Sequence, residues 1–157
     1  MQSFIDKNGN TWDLELNIGA AMRLKSRLKF DLDKIISPDP ENNNKIPLET
    51  ISEDSILLFN IIFILCEKKL ESRNLNQEQF AELFDADTIQ KATDALLDEI
   101  INFSRPAIRK ILLQLKQISK EYSDEAGKEL DRIINSPEFK NEVKAKIKAE
   151  IENPSGN

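Results

Sequence analysis

Apolar and polar positions alternate from Thr11 to Leu16, where Trp12, Leu14 and Leu16 are separated by Asp13 and Glu15. Period two is the pattern of a half-buried strand, and Asn8-Gly9 ahead of it supplies residues that tolerate the left-handed backbone of a tight turn. Residues 2–16 therefore predict a β-hairpin. Its register stays open: a two-residue loop sets Ile5 opposite Trp12, whereas a three-residue loop with a bulge sets Phe4 opposite Leu14. A lone hairpin is marginal in water, so its apolar face must pack on helices or its edge must pair with another chain.

From Asn17 onward the apolar spacing changes to three and four. Asn17 can cap a helix to about Leu28 whose stripe is Ile18, Ala21, Met22, Leu24 and Leu28, with Arg23, Lys25 and Arg27 in solvent. A short helix is predicted over 32–36. The stretch Ser37–Pro47 holds three prolines and three consecutive asparagines, through which no ladder can continue, and reads as an exposed, mobile loop.

The next stretch, Ser55–Cys66, is apolar at every position but Ser55 and Asn60. As a helix it is about 18 Å long, too short to cross a bilayer, and Glu67, Lys68 and Lys69 follow at once. It predicts a central helix, capped by Thr50 or Ser52 and running to about Ser72, that neighbouring amphipathic elements cover on all faces.

Beyond it, Asn76 with Gln79 and Asp87 with Gln90 resemble capping pairs for a short helix over 77–84 and a longer one in which Ile89, Ala92, Leu96, Ile100 and Phe103 share a face. That face is expected against the central helix, with Asp87, Asp94 and Asp98 outside. Pro106 opens a long helix: Ile108, Ile111, Leu112, Leu115, Ile118 and Tyr122 form one face, Arg105, Arg109, Lys116 and Lys120 another. Gly127 is expected to weaken its continuation, Ser136-Pro137 to start a last helix ending near Glu152, and the terminal NPSGN to fray. The fold class is thus mainly α: an N-terminal β-hairpin packed on a small helical bundle around a buried central helix, with a long helical C-terminal tail. Residues 1–104 would be the core domain and 105–157 a helical extension.

Charge sharpens this division. Residues 1–104 carry 11 Lys/Arg and 19 Asp/Glu, net −8, and residues 105–157 carry 11 and 9, net +2, for the overall −6. The apolar face from Ile108 to Tyr122 is therefore expected to rest on the acidic body with the basic residues near it. Ile108, Ile111, Leu112, Leu115, Ile118, Tyr122, Arg109 and Lys116 are the candidate partner-binding residues.

Candidate chemistry is sparse. With no histidine, the commonest general base, triad partner and zinc ligand are missing. The single cysteine, Cys66, lies in the apolar run and reads as a core residue. None of the four glycines belongs to a phosphate-binding motif. Asp87 and Asp94 are about 10 Å apart along a helix, too far to converge on a hard cation. The acidic overall balance and the lack of aromatics among the basic residues of 105–120 read against nucleic acid. No catalytic residue, cofactor, metal site or small-molecule substrate is predicted. No secretory leader is recognised at the N-terminus, so the expected location is the cytoplasm, and Trp12 is expected to glue hairpin to helix.

The opening FIDKNGNTWDLELNIGAAMRLKSRLKFDL and the later EQFAELFDADTIQKATDALLDEIINF resemble a family of small bacteriophage and prophage tail assembly chaperones. The resemblance spans about residues 3–105 and rests on Phe4, Asp6, Gly9, Trp12 and Leu14, then Phe80, Ala92, Leu96, Leu97, Glu99 and Phe103. It implies a non-enzymatic protein of the bacterial host cytoplasm that binds the helical tape-measure protein or another tail component during tail assembly and leaves the finished particle. The alternatives are a structural or adaptor subunit of a phage-like particle, or a helical protein-interaction module. Homo-oligomerisation is left open. The tail beyond Pro106 is longer and more basic than the family implies.

Overall fold

A computed structural model describes residues 1–152; the expected frayed end lies outside the described residues. The chain divides into two compact units, Met1–Arg109 and Lys110 onward. Strands β1 (Gln2–Ile5) and β2 (Thr11–Leu14) lead into helices α1 (Ile18–Leu28), α2 (Pro47–Glu53), α3 (Ser55–Ser72), α4 (Gln77–Ala81) and α5 (Ala86–Phe103), followed by α6 (Pro106–Ile134) and α7 (Pro137–Glu152). The fold is mainly α with an N-terminal antiparallel hairpin.

The hairpin takes neither expected register. Phe4 lies opposite Trp12 and Gln2 opposite Leu14, which puts Phe4, Trp12 and Leu14 together on the buried face. Asp6 decides this. Its amide donates to Asn10 O at 3.0 Å, its carbonyl accepts from Gly9 N at 3.0 Å, and its carboxylate takes the amides of Asn8 and Asn10 at 2.8 and 3.0 Å. A three-residue loop results. Only Gly9 needs the left-handed region, at φ 85°.

In the first unit α5 lies chiefly along β1, while α3 packs on β2, α1, α2, α4 and α5. The core is aromatic where hairpin and helices meet. Trp12 is fully buried, edge-on to Phe80 at 4.6 Å, with the Arg73 guanidinium 4.5 Å over its ring. Phe84 stands edge-on to Phe80 at 5.0 Å and to Phe59 at 5.3 Å, and lies 5.6 Å from Phe4. Edge-to-face rings of this kind hold the hairpin on α3 and α4. The expected role of Trp12 is the observed one.

The central helix needs two corrections. It is capped by Asp54, whose carboxylate accepts from the amides of Ile56 and Leu57, both at 3.0 Å, whereas Thr50 and Ser52 lie inside α2. It is also not covered all round: Ile61, Ile62 and Ile64 are buried, but Ile56 in its first turn is 71% exposed.

The buried side of α1 is turned from the expected stripe. Ala20 and Leu24 are buried, whereas Ile18 and Met22 are open to solvent. On that side of α1 Arg23 and Arg27 both pair with Glu67 of α3, and Arg27 stays exposed as expected. The 37–47 segment is exposed, yet not structureless. Asp39 and Lys45 form a bridge, the Asp39 N to Lys45 O distance being 2.9 Å, and Asn43 and Asn44 take φ of 53° and 58°. The asparagine run supplies left-handed residues there. Residues 32–34 form a 3-10 turn. The Asn76–Gln79 box caps α4 as expected, with bonds of 2.8 and 3.0 Å, but the helix ends at Ala81. The cap of α5 is Asp85, accepting from Thr88 N at 2.8 Å, two residues ahead of the expected Asp87.

Candidate partner-binding face

Two buried carboxylates hold the hairpin, and sequence reasoning gave neither a role. Asp6 accepts the Trp12 indole N–H at 2.8 Å in addition to its loop bonds. Burial pushes its carboxyl up, but hydrogen bonds from Trp12, Asn10 and Asn8 outweigh that and hold it below its usual value. Glu99 of α5 accepts Gln2 N at 2.9 Å and Leu16 N at 3.2 Å, one bond to each strand's open end. The signal was there to find: Glu99 is an ionisable residue one position before Ile100, on the apolar side of an otherwise regular stripe.

Arg109 has a different place from the one expected. Its guanidinium donates to the carbonyls of Ile101, Asn102 and Ser104 at 3.2, 2.9 and 3.1 Å, capping the end of α5. A cation at a helix C-terminus is favourable there, so Arg109 serves the first unit's own structure.

The helix α6 runs 29 residues from Pro106 to Ile134 without a break, and Gly127 does not end it. A helical glycine costs about 1 kcal/mol relative to alanine, less than a long ladder supplies. Along the expected face Leu112 is buried and Ile108 and Leu115 are half-buried. The rest is open. Ile111 is 41%, Ile118 62% and Tyr122 74% exposed, so the stripe expected to be covered presents large apolar groups to solvent. Lys116 and Lys120 are exposed along one edge. Beyond Tyr122 the stripe continues over Leu130 and Ile133, and α7 carries another at Val143, Ile147 and Ile151, all exposed.

The remaining candidates have structural partners. Cys66 is buried, its thiol pushed up to about 12 by desolvation, with Sγ 3.8 Å from Asp13 O. Asp87 pairs with Lys91, and Asp94 accepts from Gln90 at 3.0 Å. Among the described residues no group of three or more His, Cys, Asp or Glu side chains is placed to hold a metal ion, and no helix is long and apolar enough to cross a membrane. A cleft of ≈660 Å³ lies between the end of α1 and the 37–47 loop; of its lysines, Lys25 pairs with Asp31 and Lys45 with Glu53. Among the described residues α6 carries more exposed large apolar side chains than any other element. Comparison with protein-family models, curated proteins and solved structures yields no match for this chain.

Proposed function

We propose that the chain is a non-enzymatic tail assembly chaperone of a tailed phage or prophage, working in the bacterial cytoplasm and holding a helical segment of the tape-measure protein against the apolar face of α6. The observation that carries this reading is the exposure of Ile111, Ile118 and Tyr122 at helical spacing on a long, regular helix. Anchors at such spacing are what an amphipathic helix needs to lay its own stripe down. Large apolar groups exposed in a row invite association, and a client supplies the cover.

The compact first unit fits the role of a handle. It is pinned by Asp6 and Glu99 and can release a client without unfolding, because the client face lies on α6. The test is co-expression with a tape-measure protein, followed by mass spectrometry of finished particles. A chaperone co-purifies with the tape-measure protein and is absent from particles; recovery of the chain from particles would instead support a retained structural subunit.

A further inference from the structure

Asn8-Gly9, the only Asn-Gly pair in the sequence, sits at the tip of the hairpin between β1 and β2, and both residues are exposed. Asparagine before glycine is chemically labile, because the next amide nitrogen can close a ring on the carboxamide carbon and glycine has no Cβ to shield that nitrogen or restrict its approach. Among the described residues the Asn8 carboxamide takes no hydrogen bond, so the electrophile is free.

The nucleophile is held. Gly9 N donates to Asp6 O at 3.0 Å, and the Asp6 carboxylate fixes both sides of the pair, through Asn8 N at 2.8 Å and Asn10 N at 3.0 Å. Asn10 Nδ2 adds bonds of 3.2 and 3.0 Å to the same carboxylate. Ring closure has to break the Gly9 bond and turn the Asn8-Gly9 peptide, which opens the turn whose Asp6 also holds the Trp12 indole. The free-energy cost of that local opening sets the fraction of time the site is reactive.

We propose that Asn8 is a modification site, at which spontaneous deamidation is held off by the Asp6-centred turn and proceeds when the hairpin opens. The Gly9 nitrogen gives up its proton to solvent and attacks Cγ of Asn8. The Cγ–N bond forms, ammonia leaves carrying that proton, and a succinimide remains. Water then adds to one of its carbonyls: addition at Cγ gives aspartate, and addition at the backbone carbon gives isoaspartate, whose chain runs on through Cγ with an extra methylene. Isoaspartate undoes the turn. The added backbone atom moves Gly9 N off Asp6 O and Asn10 N off the carboxylate, and the freed carboxylate lies beside that of Asp6. The loop that sets Phe4 opposite Trp12 then cannot close in that register, so a chain that reacts while open is kept from reclosing.

A time course at pH 8 on the full chain, native and in guanidinium chloride, tests this, with deamidation located by peptide mass mapping and isoaspartate counted with an isoaspartyl methyltransferase. In denaturant Asn8 should react before any other asparagine. In the native chain its loss should be slower by about tenfold or more, by the same factor as the hydrogen-exchange protection of the Gly9 amide. Asp6→Ala, shown folded by circular dichroism, should speed native loss at Asn8 by about tenfold and leave Asn135 unchanged. Refolded isoaspartyl chain should melt below wild type, whereas Asn8→Asp, which has the charge without the added atom, should melt close to it. Equal Asn8 loss in native and denatured chain, another asparagine reacting first in denaturant, or an isoaspartyl chain melting with wild type would overturn the proposal.

Discussion

The indole N–H of Trp12 donates a 2.8 Å hydrogen bond to the carboxylate of Asp6, and both residues are buried. The same carboxylate holds the amides of Asn8 and Asn10 at the turn. One side chain thereby joins the turn that makes the hairpin to the ring that fastens it on α4. Glu99 performs the matching task at the open end, where it takes one amide from each strand. The hairpin is held at both ends by charge-assisted bonds, which are shorter and stronger than neutral ones.

For Asp6 the expectation is a pH dependence of definite sign. Its folded-state carboxyl lies below the ordinary 3.8, so the unfolded chain binds the proton more readily and stability rises with pH. The contribution is present above 3.8 and is lost as pH falls through the lower folded value. Asp6→Asn should show a flatter acid limb in thermal melts taken from pH 5 downward. Asp6→Ala should in addition lose about 1–3 kcal/mol at neutral pH, because the Trp12 N–H is left buried and unpaired.

For Glu99 the expectation concerns two strands at once. Glu99→Ala orphans the amides of Gln2 and Leu16 and should lower stability by about 2–4 kcal/mol in denaturant melts. Glu99→Gln keeps one acceptor but turns a donor toward the second amide, and should fall between the two. Hydrogen exchange at Gln2 and Leu16 should quicken in both variants, with that at the Gly9 turn unchanged.

Two isoleucines of α3 should separate cleanly. Ile62 is fully buried and Ile56 is 71% exposed, so Ile62→Ala should cost about 2–5 kcal/mol and Ile56→Ala about 0.5 kcal/mol or less. Urea unfolding of both variants checks this, and equal losses would contradict the packing described for α3.

The Cys66 thiol, pushed up to about 12 by burial, should be inert to a thiol-specific disulfide reagent at pH 8. The nucleophile is the thiolate, and almost none is present. Labelling should follow unfolding, with full reaction in denaturant.

The elements were legible in the sequence because their signals are local. Alternation at Trp12, Leu14 and Leu16 gave β2, Asn17 gave the cap of α1, and Asn76 with Gln79 gave that of α4. What escaped depends on partners distant in sequence or on a choice among neighbours. The hairpin register follows from the bonds Asp6 makes, not from Asn8-Gly9 alone. The inward face of α1 depends on its packing against α3, whose Glu67 pairs with Arg27 forty residues away in sequence. Asp54, Thr50 and Ser52 are all competent caps, and only Asp54 stands where α2 ends and α3 begins. On the candidate site, the spacing of Ile111, Ile118 and Tyr122 was readable. Their exposure was not, because periodicity marks an apolar face without saying what covers it.

Client binding at α6 is tested by co-purification of a co-expressed tape-measure protein with wild-type chain and with the double variant Ile111→Asp, Ile118→Asp. Both sites are exposed, so the circular dichroism and melting of the variant should match wild type. The proposed function expects the tape-measure protein to be retained by wild type and lost by the variant. Equal retention by a folded variant would contradict α6 as the client-binding face.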